Sequence, residues 1–113
     1  MITHSSEQAL EKRPNMRGGN GEVLLRALMP ELPTAARLFS RIELAPGCSI
    51  GYHIHENETE LFYFASGSGR ANDDGNWIDV TAGDAMSTSS GHGHAVENTG
   101  SEPLILLAVI IKD

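Results

Sequence analysis

The chain has 113 residues, 40% of them hydrophobic, with 12 glycines and 5 prolines scattered along it. That length fits one domain with a real core and leaves little room for a second. Acidic residues outnumber basic ones 15 to 8, for a formal charge of −7, with no Lys/Arg cluster; this argues against nucleic acid or an anionic membrane as a partner.

The first residues, Met1-Ile-Thr-His-Ser-Ser-Glu-Gln8, lack the apolar stretch of a leader peptide. The longest apolar run, Leu104 to Ile111, is eight residues, against roughly 20 for a membrane-spanning helix. A single Cys48 can form no internal disulfide and suits a reducing compartment, so a cytoplasmic location is expected. Residues 1–20 read as a polar N-terminal arm and 21–113 as a barrel domain. Within the arm, Ser5 is placed to cap a short helix over residues 6–12, with Gln8 three residues on.

From Glu22 onward the pattern is that of strands. Val23 to Leu28 reads as one, broken by Pro30 and Pro33. Arg37 to Leu44 alternates, with Leu38, Ser40, Ile42 and Leu44 on one face. Ala45-Pro-Gly47 turns the chain into a strand near Ser49–His55, and Leu61 to Ala65 forms the next, rich in aromatics. Asn72 to Asn76 is a hairpin turn between Ser68–Ala71 and Trp77–Val80. Further strands follow near 85–88, 94–98 and 104–111. Roughly eight short strands at regular spacing predict an all-β sandwich or barrel, with a jelly roll as the natural closure.

Four of the five histidines fall in two tight groups. In His53-Ile-His55 the two imidazoles, at i and i+2 of a strand, share one face. Glu60 follows after a four-residue segment that can turn the chain back, and His94 opens a later strand. Three imidazoles and one carboxylate suit a divalent transition metal (Mn, Fe, Co, Ni, Cu or Zn) and not Ca or Mg. On an octahedral ion they would leave two positions for water, dioxygen or a chelating substrate. A closed structural zinc site would more often use Cys. The bland alternative for His53 and His55 is a polar, partly exposed pair.

Here the sequence resembles the cupin superfamily. Gly47, His53, His55, Glu60 and Gly67 match every defined position of the first cupin motif. Gly83, Gly91, His94 and Asn98 match the second, with Ser89 where the motif has proline. Fifteen residues separate the motifs, as in compact one-domain cupins. The resemblance implies an all-β double-stranded β-helix, the cupin jelly-roll barrel, as a single domain. It implies that His53, His55, Glu60 and His94 hold the metal, and that Asn98 serves the backbone. Ser89 loosens the turn before His94 without removing a ligand.

Side-chain parity extends the site. Phe62, Phe64, Val96 and Met86 are expected to wall a ligand pocket, although each taken singly also suits a core. Cys48, Ile50, Tyr52 and Ile54 fall on the face away from the histidines. His92 is the best second acid–base group, at the rim, with an exposed loop histidine as its plainer role. Glu56 and Glu58 are expected to be solvated, and Arg37 and Arg41 to point away from the interior.

These residues support three functions. The first is metal-centred chemistry, dioxygenase- or decarboxylase-like, on a small oxygen-rich molecule. The second is a non-catalytic binding or sensing module for a metal and a small-molecule ligand. The third is a metal-free carbohydrate-handling cupin of isomerase or epimerase type. Cupins commonly pair through outer sheet faces, so the resemblance also implies a homodimer.

Overall fold

Every stretch read as a strand from Val23 onward forms one in the computed structural model, which describes all 113 residues. The strands are β1 (Leu10–Pro14), β2 (Glu22–Ala27), β3 (Ala36–Leu44), β4 (Ser49–Ile54) and β5 (Glu58–Ser66). They continue as β6 (Ser68–Asp73), β7 (Asn76–Thr81), β8 (Ala85–Thr88), β9 (Gly93–Glu97) and β10 (Leu104–Lys112). All pairings are antiparallel. One sheet runs β1-β2-β3-β10-β5-β8 and the other β4-β9-β6-β7. This is the jelly-roll architecture the strand spacing predicts.

Each sheet turns its apolar face inward. On β10, Leu104, Leu106, Ala108 and Ile110 are all buried while the residues between them are partly exposed. Leu106 lies opposite Ile42 of β3 and Phe64 of β5, and those three anchor the core with Leu44, Val23 and Val96. Each such side chain, fully withdrawn from water, contributes about 1.5–3 kcal/mol. No helix is long and apolar enough to cross a membrane.

The N-terminal residues depart from the expected helix. Ser5–Glu7 forms one 3-10 turn, and Leu10–Pro14 is a strand paired with β2 from Leu10↔Arg26 to Pro14↔Glu22. A seven-residue helix has too few internal hydrogen bonds to offset its nucleation. The edge of β2 offers the same backbone a full ladder. A second 3-10 turn, Met16–Gly18, then packs onto β4.

Parity also slips once. The β4–β9 register shifts between Ile50 and His53, a bulge over Gly51 and Tyr52. Ile50 is therefore buried on the same side as His53, not on the face assigned by simple alternation. Tyr52 and Ile54 do face outward, and Cys48 packs against the core edge. The hairpin turn tightens to Asp74 and Gly75, both at positive φ, with Asn72 Oδ1 accepting from the Gly75 amide at 2.7 Å. Asn98 ties the end of β9 to the backbone, donating to the carbonyls of Leu44 and Glu102 and accepting from the Gly100 amide.

Candidate metal centre

Three strands bring four donors together. His53 lies on β4, Glu60 on β5 and His94 on β9, while His55 follows directly after β4. One donor atom from each lies within 4.8 Å of the others. His94 Nε2 is 3.0 Å from His55 Nε2 and 3.2 Å from His53 Nε2. Glu60 Oε1 is 2.9 Å from His55 Nε2 and 3.1 Å from His94 Nε2. His55, Glu60 and His94 are buried, and His53 partly so. Burial is the main influence on His53 and lowers its pKa, which keeps the ring neutral.

Neighbours hold the tautomers. His53 Nδ1 donates to the Gly51 carbonyl at 2.9 Å. His55 Nδ1 donates to Glu58 Oε2 at 2.6 Å. Glu58 is ionised, because two bonds from Arg37, both 2.8 Å, with a further contribution from His55, hold its pKa down to about 2. An ionised carboxylate only accepts, so the proton sits on His55 Nδ1. Thr88 Oγ1 lies 2.8 Å from His94 Nδ1, and a hydroxyl there can accept from the Nδ1–H tautomer that leaves Nε2 free. The Phe62 ring stacks on His94, with centroids 4.9 Å apart and planes 11° from parallel.

The Nε2 atoms of His53 and His55 therefore present lone pairs, and with His94 in its Nδ1–H tautomer all three face one another and a carboxylate. One shared proton would satisfy two of these four acceptors at most. A cation satisfies all of them. Ligands about 2.1 Å from an ion and at right angles stand about 3.0 Å apart, which agrees with the four separations above. The residues fit a divalent transition metal, and the cluster is a potential metal site.

A small cavity of about 70 Å³ opens beside the donors. Phe62 and Ile50 line it, together with Leu38, Ile42, Leu25 and Ile110. The other residues expected there lie elsewhere. Phe64 and Val96 are in the core. Phe64 sits four residues along β5 from Glu60, about 13 Å away at strand rise. Met86 packs against the core and borders a separate hollow with Ile78 and Val80. His92 is on the surface, its Nδ1 bonded to Asp74 Oδ2 at 2.9 Å, and it borders no part of the cavity.

Two expectations are corrected. Glu58 is not a solvated mouth residue; its side chain is 14% exposed and locked between Arg37 and His55. Nor is the cavity free of cationic side chains, for Arg37 lines it with Arg13 and Arg17. Arg13 and Arg17 arrive from the N-terminal segment, more than thirty residues upstream of His53, and no local spacing signalled them.

The Cupin domain family model matches residues 40–110, more than half of the chain, so the chain belongs to the cupin family. It is 45% identical over 113 residues to the oxalate-binding protein of Thermotoga maritima, covering 98% of this chain and 93% of that one. A crystal structure of a "predicted oxalate decarboxylase", also from Thermotoga maritima, superposes with a TM-score of 0.96 at 44% identity over 100% of both chains. An RmlC-like cupin from Shewanella frigidimarina superposes with a TM-score of 0.80 at 15% identity, covering 99% of this chain and 90% of that one. The last likeness is one of fold.

Proposed function

We propose that this cupin holds one divalent transition-metal ion on His53, His55, Glu60 and His94 and binds oxalate or a similarly small carboxylate there. The observation that carries this reading is the convergence of three Nε2 atoms and one carboxylate, with the His53 and His55 tautomers fixed from behind. When bound, the ion supplies a Lewis-acidic centre for an incoming carboxylate. Arg13, Arg17 and Arg37 line the mouth, and of these Arg17 alone has no carboxylate partner to share its charge. Phe62, Ile50 and Leu38 make part of the wall apolar.

The cavity favours small ligands. Pockets for drug-sized molecules run to about 300–1,000 Å³, well above the 70 Å³ here. A carbohydrate-handling role is disfavoured on the same ground. Binding is favoured over turnover, because no uncommitted acid lines the cavity. Glu58 is held by Arg37 and His55, Glu60 faces the imidazoles, and His92 is outside. Decarboxylation of oxalate to formate needs a proton delivered to carbon, and dioxygenase-like chemistry has no further support.

The outer face of the six-stranded sheet exposes Leu61, Tyr63 and Ile111, which suits a homodimer. Light scattering tests that: a mass near two 12.1 kDa chains is expected, and a mass near one refutes it. The function is tested by calorimetric titration of the Mn(II)-loaded protein with oxalate, alongside a formate assay. Stoichiometric binding with little formate is expected. Absence of oxalate binding refutes the reading, and rapid formate release overturns the preference for binding over catalysis.

A further inference from the structure

The three arginines at the cavity mouth are not equivalent. Arg37 is engaged with Glu58 through two bonds. Arg13 is paired with Glu11 at 2.9 Å. Arg17 has no carboxylate partner in the chain. Yet it lines the same cavity as His53, His55 and Glu60.

Its backbone is unusual as well. Arg17 has φ 55 and ψ 29, left-handed geometry that glycine or asparagine adopts at lower cost. Asn15, two residues earlier, is left-handed too, at φ 51 and ψ 44. The turn is clamped onto β4, the strand that carries His53. A Cβ at Gly51 would overlap the Arg17 carbonyl, and one at Gly19 would overlap the Ser49 carbonyl. Ser49 and Asn20 close the clamp, with Ser49 N donating to the Asn20 carbonyl at 2.9 Å and Asn20 N to Ser49 Oγ at 2.8 Å. A long cationic side chain is thus held at a strained position, beside the donor cluster, with its guanidinium uncommitted. Strain of this kind persists where the surroundings impose it, often at ligand sites.

We propose that Arg17 is a specificity-determining residue: it binds the outer carboxylate of a short dicarboxylate whose inner carboxylate sits at the metal ligands. The site then selects dicarboxylates over monocarboxylates. This rests on the metal-site reading above. Arg13 and Arg37 contribute less, since each already shares its charge with a glutamate.

The test compares wild type, Arg17→Gln and Arg17→Gly, each loaded with Mn(II) and titrated calorimetrically with oxalate and with acetate. Mn(II) affinity and melting temperature are measured on the same samples. In Arg17→Gln, oxalate affinity is expected to fall about 10- to 100-fold, the usual effect of losing a charge-assisted bond. Acetate and Mn(II) affinities stay close to wild type. Arg17→Gly is expected to show the same oxalate loss with an unchanged or higher melting temperature, because glycine relieves the left-handed strain. A residue with only a structural role would leave the oxalate-to-acetate ratio unchanged. If wild type binds oxalate and both variants keep that ratio, the role of Arg17 is overturned and the metal-site reading stands. If wild type takes up Mn(II) but binds neither anion, the proposed oxalate binding and the role of Arg17 fall together while the metal site stands; if it takes up no Mn(II), the metal-site reading itself falls.

Discussion

Glu58→Gln is a nearly isosteric change that tests how the donor cluster is held. The carboxylate accepts from His55 Nδ1 at 2.6 Å and from Arg37 at 2.8 Å twice. An amide has one oxygen for these roles. If that oxygen stays on Arg37, the amide nitrogen faces His55 Nδ1 and can only donate. His55 then carries its proton on Nε2 and cannot ligate. If the oxygen turns to His55, the Arg37 guanidinium loses its countercharge. Outer partners of metal-bound histidines typically contribute 10- to 100-fold in affinity, and Glu58→Gln is expected to weaken Mn(II) or Zn(II) binding by about that factor. Losing charge-assisted bonds also costs about 1.5–3 kcal/mol of stability. Arg37→Gln leaves the Glu58–His55 bond in place and is expected to have a smaller effect on the metal. Chelator competition gives the affinities and urea unfolding the stability. Wild-type metal affinity in Glu58→Gln, or a larger loss in Arg37→Gln, refutes the reasoning.

Three further outcomes follow from the geometry. Metal at about 100 times its Kd stabilises the native state by about 2.7 kcal/mol, a rise in Tm of about 10 °C for a chain of this size; His94→Ala is expected to lose that rise in differential scanning calorimetry. Phe64 is fully buried in the core, so Phe64→Ala is expected to destabilise by about 3–5 kcal/mol, read from the urea midpoint. Gly51→Ala is expected to displace the Met16–Gly18 turn, because its Cβ meets the Arg17 carbonyl. It should lower Tm and weaken oxalate binding more than metal binding, and an unchanged oxalate affinity counts against the clamp.

The sequence showed the strands and the four donors because both are local patterns. Alternation marked β3 and β10, and the His53/His55 spacing placed two imidazoles on one side. What it hid depends on contacts between distant residues. β1 reads Leu10-Glu-Lys-Arg-Pro14 and all five residues are exposed; its pairing with β2 rests on backbone bonds, which leave no hydrophobic signature. The bulge at Gly51 and Tyr52 moved Ile50 inside, since one extra residue reverses parity. Glu58 looked like a loop carboxylate until β3 brought Arg37 against it. Phe64 and Val96 share a face with the ligands, as parity required, but lie deeper along their strands, and parity carries no depth.

Elemental analysis of the natively expressed protein, beside its His53→Ala variant, tests the central claim most directly. About one divalent transition-metal ion per chain is expected in the wild type and little or none in the variant. A wild type without stoichiometric metal, or a variant that retains it, contradicts the assignment of His53, His55, Glu60 and His94 as a metal centre.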